Sequence, residues 1–200
     1  MTIDREELVF ADVQKWRAWL EKHHSSSSGI WLVLAKKGTL KPTSLTYTQA
    51  LEDALCFGWI DGQARSRDAG TFTQGFTPRR KRSPWSKRNT GTAERLVLAG
   101  RMHESGIAEM ARAKADGRWE AAYPGPASIE VPPELAAALT DSRQAKAKFA
   151  TLNSQNRYAI LYRIATAKRA ETRTKRIAQF VEMLERGETI YPPKADRKGD

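Results

Sequence analysis

The spacing of apolar residues in the first part of the chain predicts a helix, a strand and a second helix. A helix is predicted over 12–24, because an aspartate can cap its start and apolar residues recur three or four positions apart. The continuous apolar run at 30–37 has the length of a strand and predicts a central one. Thr46 and Gln49 have the spacing of a capping box, which opens a helix that stops at Gly58.

Two more strand-length runs, at 59–67 and 71–77, are separated by a short Asp-Ala-Gly turn. They predict an antiparallel hairpin. Together with the strand at 30–37 they form a small antiparallel sheet of about three strands, flanked by helices. From Thr92 onward the apolar spacing is helical. The predicted fold class is therefore α+β, with a C-terminal helical region after the sheet.

A proline-rich stretch, YPGPASIEVPP, interrupts the helical pattern and predicts a domain boundary. We therefore expect an α+β core domain at 1–124, which holds the basic loop described below, and a helical region at 132–188. Three helices are predicted in that region, beginning near Asp141, Ser154 and Thr172. The polar residues 189–200 are predicted to form a disordered tail.

The charge of the chain is concentrated in two segments. The formal net charge is +11, but the segment 71–92 contains six basic and no acidic residues, and the segment 143–176 contains ten basic residues and only Glu171 as an acid. The rest of the chain is therefore net acidic. We predict that the two basic segments form one electropositive face, suited to phosphates, nucleic acid or an anionic membrane surface.

The first basic segment is the best candidate for a functional site. Pro78 and Pro84 disfavour helix, so the cations between them are predicted to lie on a stiff, exposed loop. The candidate ligand-binding residues are Trp59, Asp61, Arg79, Arg80, Arg82, Ser83, Trp85, Ser86, Lys87, Arg88 and Asn89. In this interpretation the cations hold an anion, and the serines and the asparagine donate hydrogen bonds to it.

Two of these residues have alternative interpretations. The Trp85 ring could stack on a base or sugar beside the cations. It could instead pin the loop to the core while solvent surrounds the charges. Asp61 could orient Arg79 or Arg82, or act as a general base, although one carboxylate without a partner is weak support for catalysis.

Composition and motifs narrow the class of function. No segment has the eighteen or so apolar residues needed to cross a bilayer, and the first ten residues lack the basic start and apolar run of a signal peptide, so we expect a cytoplasmic protein. The one cysteine, Cys56, is predicted to be an inert, structural thiol. The histidines lack a metal-ligand spacing, and no phosphate loop, dinucleotide fingerprint or nucleophile elbow occurs. No catalytic residue, metal or cofactor is therefore predicted.

Five motifs, in the same order, resemble those of the YdeI/OmpD-associated, or bacteriocin-protection, family of bacterial proteins. They are ALCFGWIDG (54–62), FTPRRKRSPWSKRN (76–89), GRM (100–102), AKADGRWEAAY (113–123) and AKRAETRTKRI (167–177). The resemblance extends from Trp16 to about Gly187 and leaves out the serine run and the polar tail. It implies a protective role against bacteriocins or antimicrobial peptides and an association with an outer-membrane porin. It supplies no catalytic residues.

Three classes of function are open on these grounds. The first is a non-enzymatic anion-binding module, whose ligand is a phosphate-bearing small molecule or a nucleic acid. The second is an interaction protein whose basic loop docks on an acidic protein or a membrane surface. The third is an enzyme that uses Asp61 with the loop arginines.

Overall fold

The computed structural model describes residues 5–167 and 169–192, which form two compact units with separate hydrophobic cores. The first unit ends at Ala122 and the second begins at Tyr123. Residues 193–200, most of the predicted tail, lie outside the described residues, as does Lys168 of the second basic segment.

The first unit combines a sheet with helices, and the second is helical within the described residues. The strands are β1 (Glu7–Leu8), β2 (Ile30–Ala35), β3 (Trp59–Ser66) and β4 (Thr71–Pro78), and the helices of the first unit are α1 (Val13–His23), α2 (Tyr47–Cys56), α3 (Lys87–Leu98) and α4 (Glu104–Ala115). The helices of the second unit are α5 (Pro133–Asp141), α6 (Arg143–Ala150), α7 (Ser154–Ala165) and α8 (Ala170–Glu185). The α+β class and the helical C-terminal region are thus confirmed.

Among the described residues the sheet has four strands, in the order β1-β2-β4-β3, and not three as predicted. β2 and β3 are antiparallel to β4, with Leu32 opposite Gln74 and Asp61 opposite Phe76. β1 is parallel to β2 and pairs Leu8 with Leu32, so the sheet is mixed and not purely antiparallel. The sequence could not reveal β1, because two residues are too few to show a period of two.

The core of the first unit is built around large aromatic rings. Trp16 of α1 and Trp59 of β3 are at most 1% exposed. The indole N–H of Trp16 donates to the carbonyl of Ala50 at 3.1 Å, and that of Trp59 donates to the carbonyl of His24 at 3.0 Å. Each ring is therefore buried with its polar edge satisfied, which fixes the position of β3 against the helices.

The predicted capping box of α2 is confirmed. The Thr46 hydroxyl accepts from the backbone N–H of Gln49, and the Gln49 side chain accepts from the backbone N–H of Thr46. The turn after α2 contains Gly58, whose φ of 75° is a conformation that favours glycine. This turn leads directly into β3, the strand that borders the candidate site.

The second unit contains four helices within the described residues, one more than predicted. The additional helix is α5, which has no side-chain cap and begins with Pro133, where a missing N–H is tolerated. Asp141, predicted to start a helix, is instead the last residue of α5, and Ser142 caps α6. The proline-rich stretch concealed α5 because its prolines were interpreted only as a boundary. None of the helices in 5–167 and 169–192 is long and apolar enough to cross a bilayer.

Candidate functional site

The loop between β4 and α3, residues 79–86, is called the basic loop from here on. Its start is fixed by a hydrogen bond from the backbone N–H of Arg79 to the carbonyl of Gly58. Its centre is a closed turn, in which the N–H of Ser83 donates to the carbonyl of Arg80, while the Ser83 hydroxyl accepts from the N–H of Arg80. Its end is the N-cap of α3, where the Ser86 hydroxyl accepts from the N–H of Asn89.

Trp85 and Arg79 form the inner side of the basic loop. Trp85 is 1% exposed and Arg79 is 8% exposed. The Arg79 guanidinium lies 3.6 Å from the centre of the Trp85 ring, and its Nη1 donates to the carbonyl of Pro84 at 3.1 Å. The Trp85 ring also packs against Trp119, with 4.8 Å between the two ring centroids. The alternative in which Trp85 pins the loop to the core therefore describes the structure, and a role as an exposed stacking platform does not, because the ring is covered.

Five other cations form the outer side of the site. They are Arg80, Lys81, Arg82, Lys87 and Arg88, and all are exposed. In the part of the chain that the structure describes, no salt bridge involves any of the five. Arg88 makes a distant cation–π contact with Tyr47, at 5.7 Å from the ring centre. The outer side is thus a dense cluster of solvent-facing positive charge.

The start of α3 adds to this positive potential. Lys87 and Arg88 are the first two residues of the helix, and its first turn has no acidic residue. The N-terminus of a helix carries a partial positive charge, which favours anions and disfavours cations there. The positive charges of Lys87 and Arg88 therefore lie where the dipole of α3 disfavours them, unless an anion is bound there.

The remaining polar candidates shape the loop. Ser83 and Ser86 use their oxygens to accept backbone hydrogen bonds, and Asn89 is 7% exposed. Trp59 is 1% exposed and belongs to the core. The structure therefore places these four residues around the site without bringing them together on its exposed side.

Asp61 is held by a tyrosine of α2. It is half-buried on β3, and its Oδ2 accepts a hydrogen bond from the Tyr47 hydroxyl at 2.9 Å. Among the described residues Asp61 forms no salt bridge with Arg82. The geometry offers a carboxylate held by a phenol, and Arg88 lies 5.7 Å from the centre of that Tyr47 ring.

A second layer beneath the basic loop was not singled out from the sequence. Arg118 donates from Nη1 to the carbonyl of Ser83 at 3.0 Å and to Oε1 of Glu109 at 3.1 Å. Arg118 and Trp119 follow α4, more than thirty residues after the loop, so no local pattern connects them. The motif at 113–123 contains both and was the available signal.

The second basic segment is partly engaged in the structure of its own unit. Arg157 lies 4.6 Å from the Phe149 ring centre, Arg173 pairs with Glu134 at 3.5 Å, and Arg176 donates to the carbonyl of Arg163. These contacts stabilise the helices and engage part of the positive charge of this segment within its own unit. That the two basic segments form one face stays a prediction.

Comparison with known proteins supplies family relationships and no activity. Residues 128–187 match the family model described as Bacteriocin-protection, YdeI or OmpD-Associated, which confirms the suggested family for this region, where one of the five motifs lies. No curated protein and no solved structure matches the chain. A second family model, described as Domain of unknown function (DUF8412), matches residues 8–109, which include β2 to β4, the basic loop and α3. Because this match spans slightly more than half of the chain, the protein belongs to the DUF8412 family.

Proposed function

We propose that the protein is a non-enzymatic binding module for a phosphate-bearing polyanion, with nucleic acid as the ligand class. The observation that carries the proposal is the cluster of five exposed cations, Arg80, Lys81, Arg82, Lys87 and Arg88, which form no salt bridge with the described residues. Phosphate groups are the anions that such clusters bind most readily.

The positions of these cations are unfavourable in the absence of an anion. Neighbouring positive charges repel one another, and only solvent and salt screen them. Lys87 and Arg88 also oppose the dipole of α3, at a cost of about 0.3 to 1 kcal/mol for each exposed charge. A phosphate beside the N-terminus of α3 would remove both penalties, because it is negative and can accept hydrogen bonds from guanidinium and backbone N–H groups.

Exposure favours an extended ligand over a small one. Pockets for small molecules bury about 70 to 90% of the ligand surface, and a cluster of solvent-facing side chains on a loop does not provide such burial. A polymer of phosphates can meet the same side chains one after another along its backbone. The cluster therefore suits a polyanion better than a small metabolite.

The buried tryptophan determines what part of a nucleic acid is recognised. Trp85 is covered by Arg79 and Trp119, so it has no open face for a base. Recognition then depends on backbone phosphates, which position a nucleic acid without selecting its sequence. Single and double strands should differ only through their charge density.

The family description is compatible with a binding role and adds no reaction. Its words, bacteriocin protection and OmpD association, name a phenotype and a partner of relatives. An enzyme is the weaker hypothesis, because the Asp61 carboxylate is engaged by the Tyr47 hydroxyl. Docking of the loop on an acidic protein would use the same cations. It remains as the alternative if the wild-type protein binds neither oligonucleotides nor heparin in the experiment below.

The proposal is tested by fluorescence anisotropy with labelled single- and double-stranded oligonucleotides and with unlabelled heparin as competitor. We expect log affinity to fall linearly with log salt between roughly 50 and 200 mM, as counterions are released. The combined substitution of Arg80, Lys81 and Arg82 by Ala should weaken binding and reduce the slope for duplex DNA by about 2 to 3, at about 0.9 per phosphate contact.

The matched control removes the same amount of positive charge from another part of the first unit. Lys15, Lys22 and Lys37 are exposed, and replacing all three with Ala also removes three positive charges. This control should keep most of the affinity and slope. The proposal is wrong if the wild-type protein binds no polyanion at the lowest salt, or if the loop variant and the control lose affinity equally.

A further inference from the structure

We infer that Arg118 is a positioning residue, which holds the basic loop in its binding conformation from beneath without contacting the ligand. The inference rests on the proposed function of the loop. Its structural half, that Arg118 restrains the loop, can be tested without any ligand.

Arg118 is itself held in one place. Its Nε lies 2.8 Å from both carboxylate oxygens of Asp116, and its Nη1 lies 3.1 Å from Oε1 of Glu109. The Arg118 side chain is only 15% exposed, and that of Glu109 is 1% exposed. Two carboxylates therefore orient the guanidinium and balance its charge, which leaves it little attraction for an outside anion.

From this fixed position Arg118 reaches the centre of the loop. Its Nη1 donates to the carbonyl of Ser83 at 3.0 Å, and Ser83 is the residue that closes the turn on Arg80. The side chains of Arg80, Lys81 and Arg82 project from this turn. A guanidinium that holds the Ser83 carbonyl thus restrains the part of the loop that carries three of the five exposed cations.

Two neighbouring contacts act in the same sense. Arg79 donates to the carbonyl of Pro84, and Trp119 packs on Trp85. Three consecutive residues of the loop are therefore held, two through their carbonyls and one through its ring. The negative ends of those two peptide dipoles point to the guanidinium groups of Arg118 and Arg79. A loop ordered in advance need not lose conformational freedom on binding, which improves affinity.

Arg112 provides the matched control. It pairs with Oε2 of the same Glu109, its side chain is 61% exposed, and it makes no described hydrogen bond with the basic loop. Arg112→Ala therefore removes an arginine from Glu109 and leaves the hydrogen bond to the Ser83 carbonyl in place. Arg118→Ala and the milder Arg118→Gln remove or weaken that hydrogen bond.

The first measurement is limited trypsin digestion of the ligand-free, full-length protein, with the cleavage sites identified by mass spectrometry. Cleavage after Arg80, Lys81 and Arg82 requires the loop to leave its native conformation. We expect it to be about five- to tenfold faster in Arg118→Ala, the fold-change for loss of about one hydrogen bond, smaller in Arg118→Gln, and unchanged in Arg112→Ala. Thermal unfolding of each variant shows whether it is folded. If Arg118→Ala is not folded, the cleavage rate of Arg118→Gln tests the inference instead.

The second measurement is the affinity for the labelled duplex oligonucleotide and its salt slope. Arg118→Ala should bind about five- to tenfold more weakly with an unchanged slope, because the number of phosphates contacted stays the same. Equal cleavage of the loop in wild type and both Arg118 variants would overturn the inference, whatever the binding result. A mobile loop with unaltered affinity would also overturn it. Failure of the wild type to bind DNA or heparin would instead overturn the proposed function and leave the digestion result as a test of the restraint.

Discussion

The guanidinium of Arg79 lies 3.6 Å above the Trp85 ring, and both side chains are buried, whereas Arg80, Lys81 and Arg82, the next three residues, are exposed. The basic loop therefore has two sides with different tasks. The inner side fixes the loop through one cation, a ring and a backbone carbonyl. The outer side carries charge into solvent, where a ligand can reach it.

Replacement of Trp85 should affect stability far more than recognition. We expect Trp85→Ala to lower the free energy of unfolding by about 3 to 5 kcal/mol, as for other large-to-small core substitutions. Trp85→Phe should cost less, because it keeps a ring beneath Arg79 and beside Trp119. Urea denaturation measures both changes.

The binding of a folded Trp85→Leu variant, which has no ring to stack on a base, tests the same assignment in a second way. This variant should bind single- and double-stranded oligonucleotides with the affinities of the wild type. A selective loss for the single strand, with stability retained, would show that the ring stacks on bases after all, since such stacking contributes about 1 to 3 kcal/mol per base.

The elements that could be predicted from the sequence are those determined by local chemistry. The capping box of Thr46 and Gln49 needs only a spacing of three, and the strands at Ile30–Ala35 and Thr71–Pro78 need only a run of apolar or β-branched residues. β1 was missed because its two residues become a strand only through pairing with β2. α5 was missed because its signal is a proline at the first helical position and not a capping side chain.

The candidate site shows the same limit. That a run of cations between two prolines is mostly exposed follows from the cost of burying unpaired charge. Which of them turns inward does not follow, because Arg79 is selected by the Pro84 carbonyl and the Trp85 ring, which depend on how the loop folds back. The role of Arg118 is still harder to predict from the sequence, because its partner Ser83 precedes it by thirty-five positions.

Two glycines on neighbouring helices should respond to alanine in opposite directions. A Cβ added at Gly106 of α4 would lie 2.1 Å from the carbonyl oxygen of Cys56, which is backbone and cannot give way locally. A Cβ at Gly91 of α3 would meet nothing within 4 Å. We expect Gly106→Ala to be strongly destabilising, by more than the roughly 1 to 3 kcal/mol of ordinary overpacking. Gly91→Ala should raise stability by about 0.5 to 1 kcal/mol, because glycine inside a helix is unfavourable relative to alanine. Thermal unfolding of the two variants would contradict this account if both moved in the same direction.

Cys56 should react slowly while the protein is folded. The structure places the thiol in the core with no exposed surface. Burial raises the pKa of Cys56, and a hydrogen bond from Arg17 only partly opposes this effect. The reactive thiolate is therefore both scarce and shielded. Labelling with a thiol reagent at neutral pH should be slow in native buffer and fast in denaturant, and fast labelling of the native protein would show that Cys56 is not an inert thiol.

Asp68 should make the stability of the β3–β4 hairpin dependent on pH between its unfolded pKa near 3.8 and its folded pKa of about 2. Hydrogen bonds from the hydroxyl and backbone N–H of Thr71 lower the pKa of Asp68 from 3.8 to about 2, with burial opposing them and Gly70 and Arg67 adding further hydrogen bonds. Because the pKa is lower in the folded state, the ionised carboxylate stabilises the fold above the unfolded value near 3.8. That contribution is lost as the pH falls through about 2.

The substitution that isolates this effect is Asp68→Asn, which keeps an oxygen for the N–H groups of Gly70 and Thr71 but cannot ionise. At neutral pH the variant should be less stable than the wild type. Between about pH 5 and pH 2 the difference between the two should shrink, because the wild type gains a proton that the asparagine cannot bind. Urea titrations at a series of pH values measure the difference directly, and other carboxylates that titrate equally in both proteins cancel from it. A difference that stayed constant from pH 5 to pH 2 would mean that the turn depends on the shape of the side chain and not on its charge.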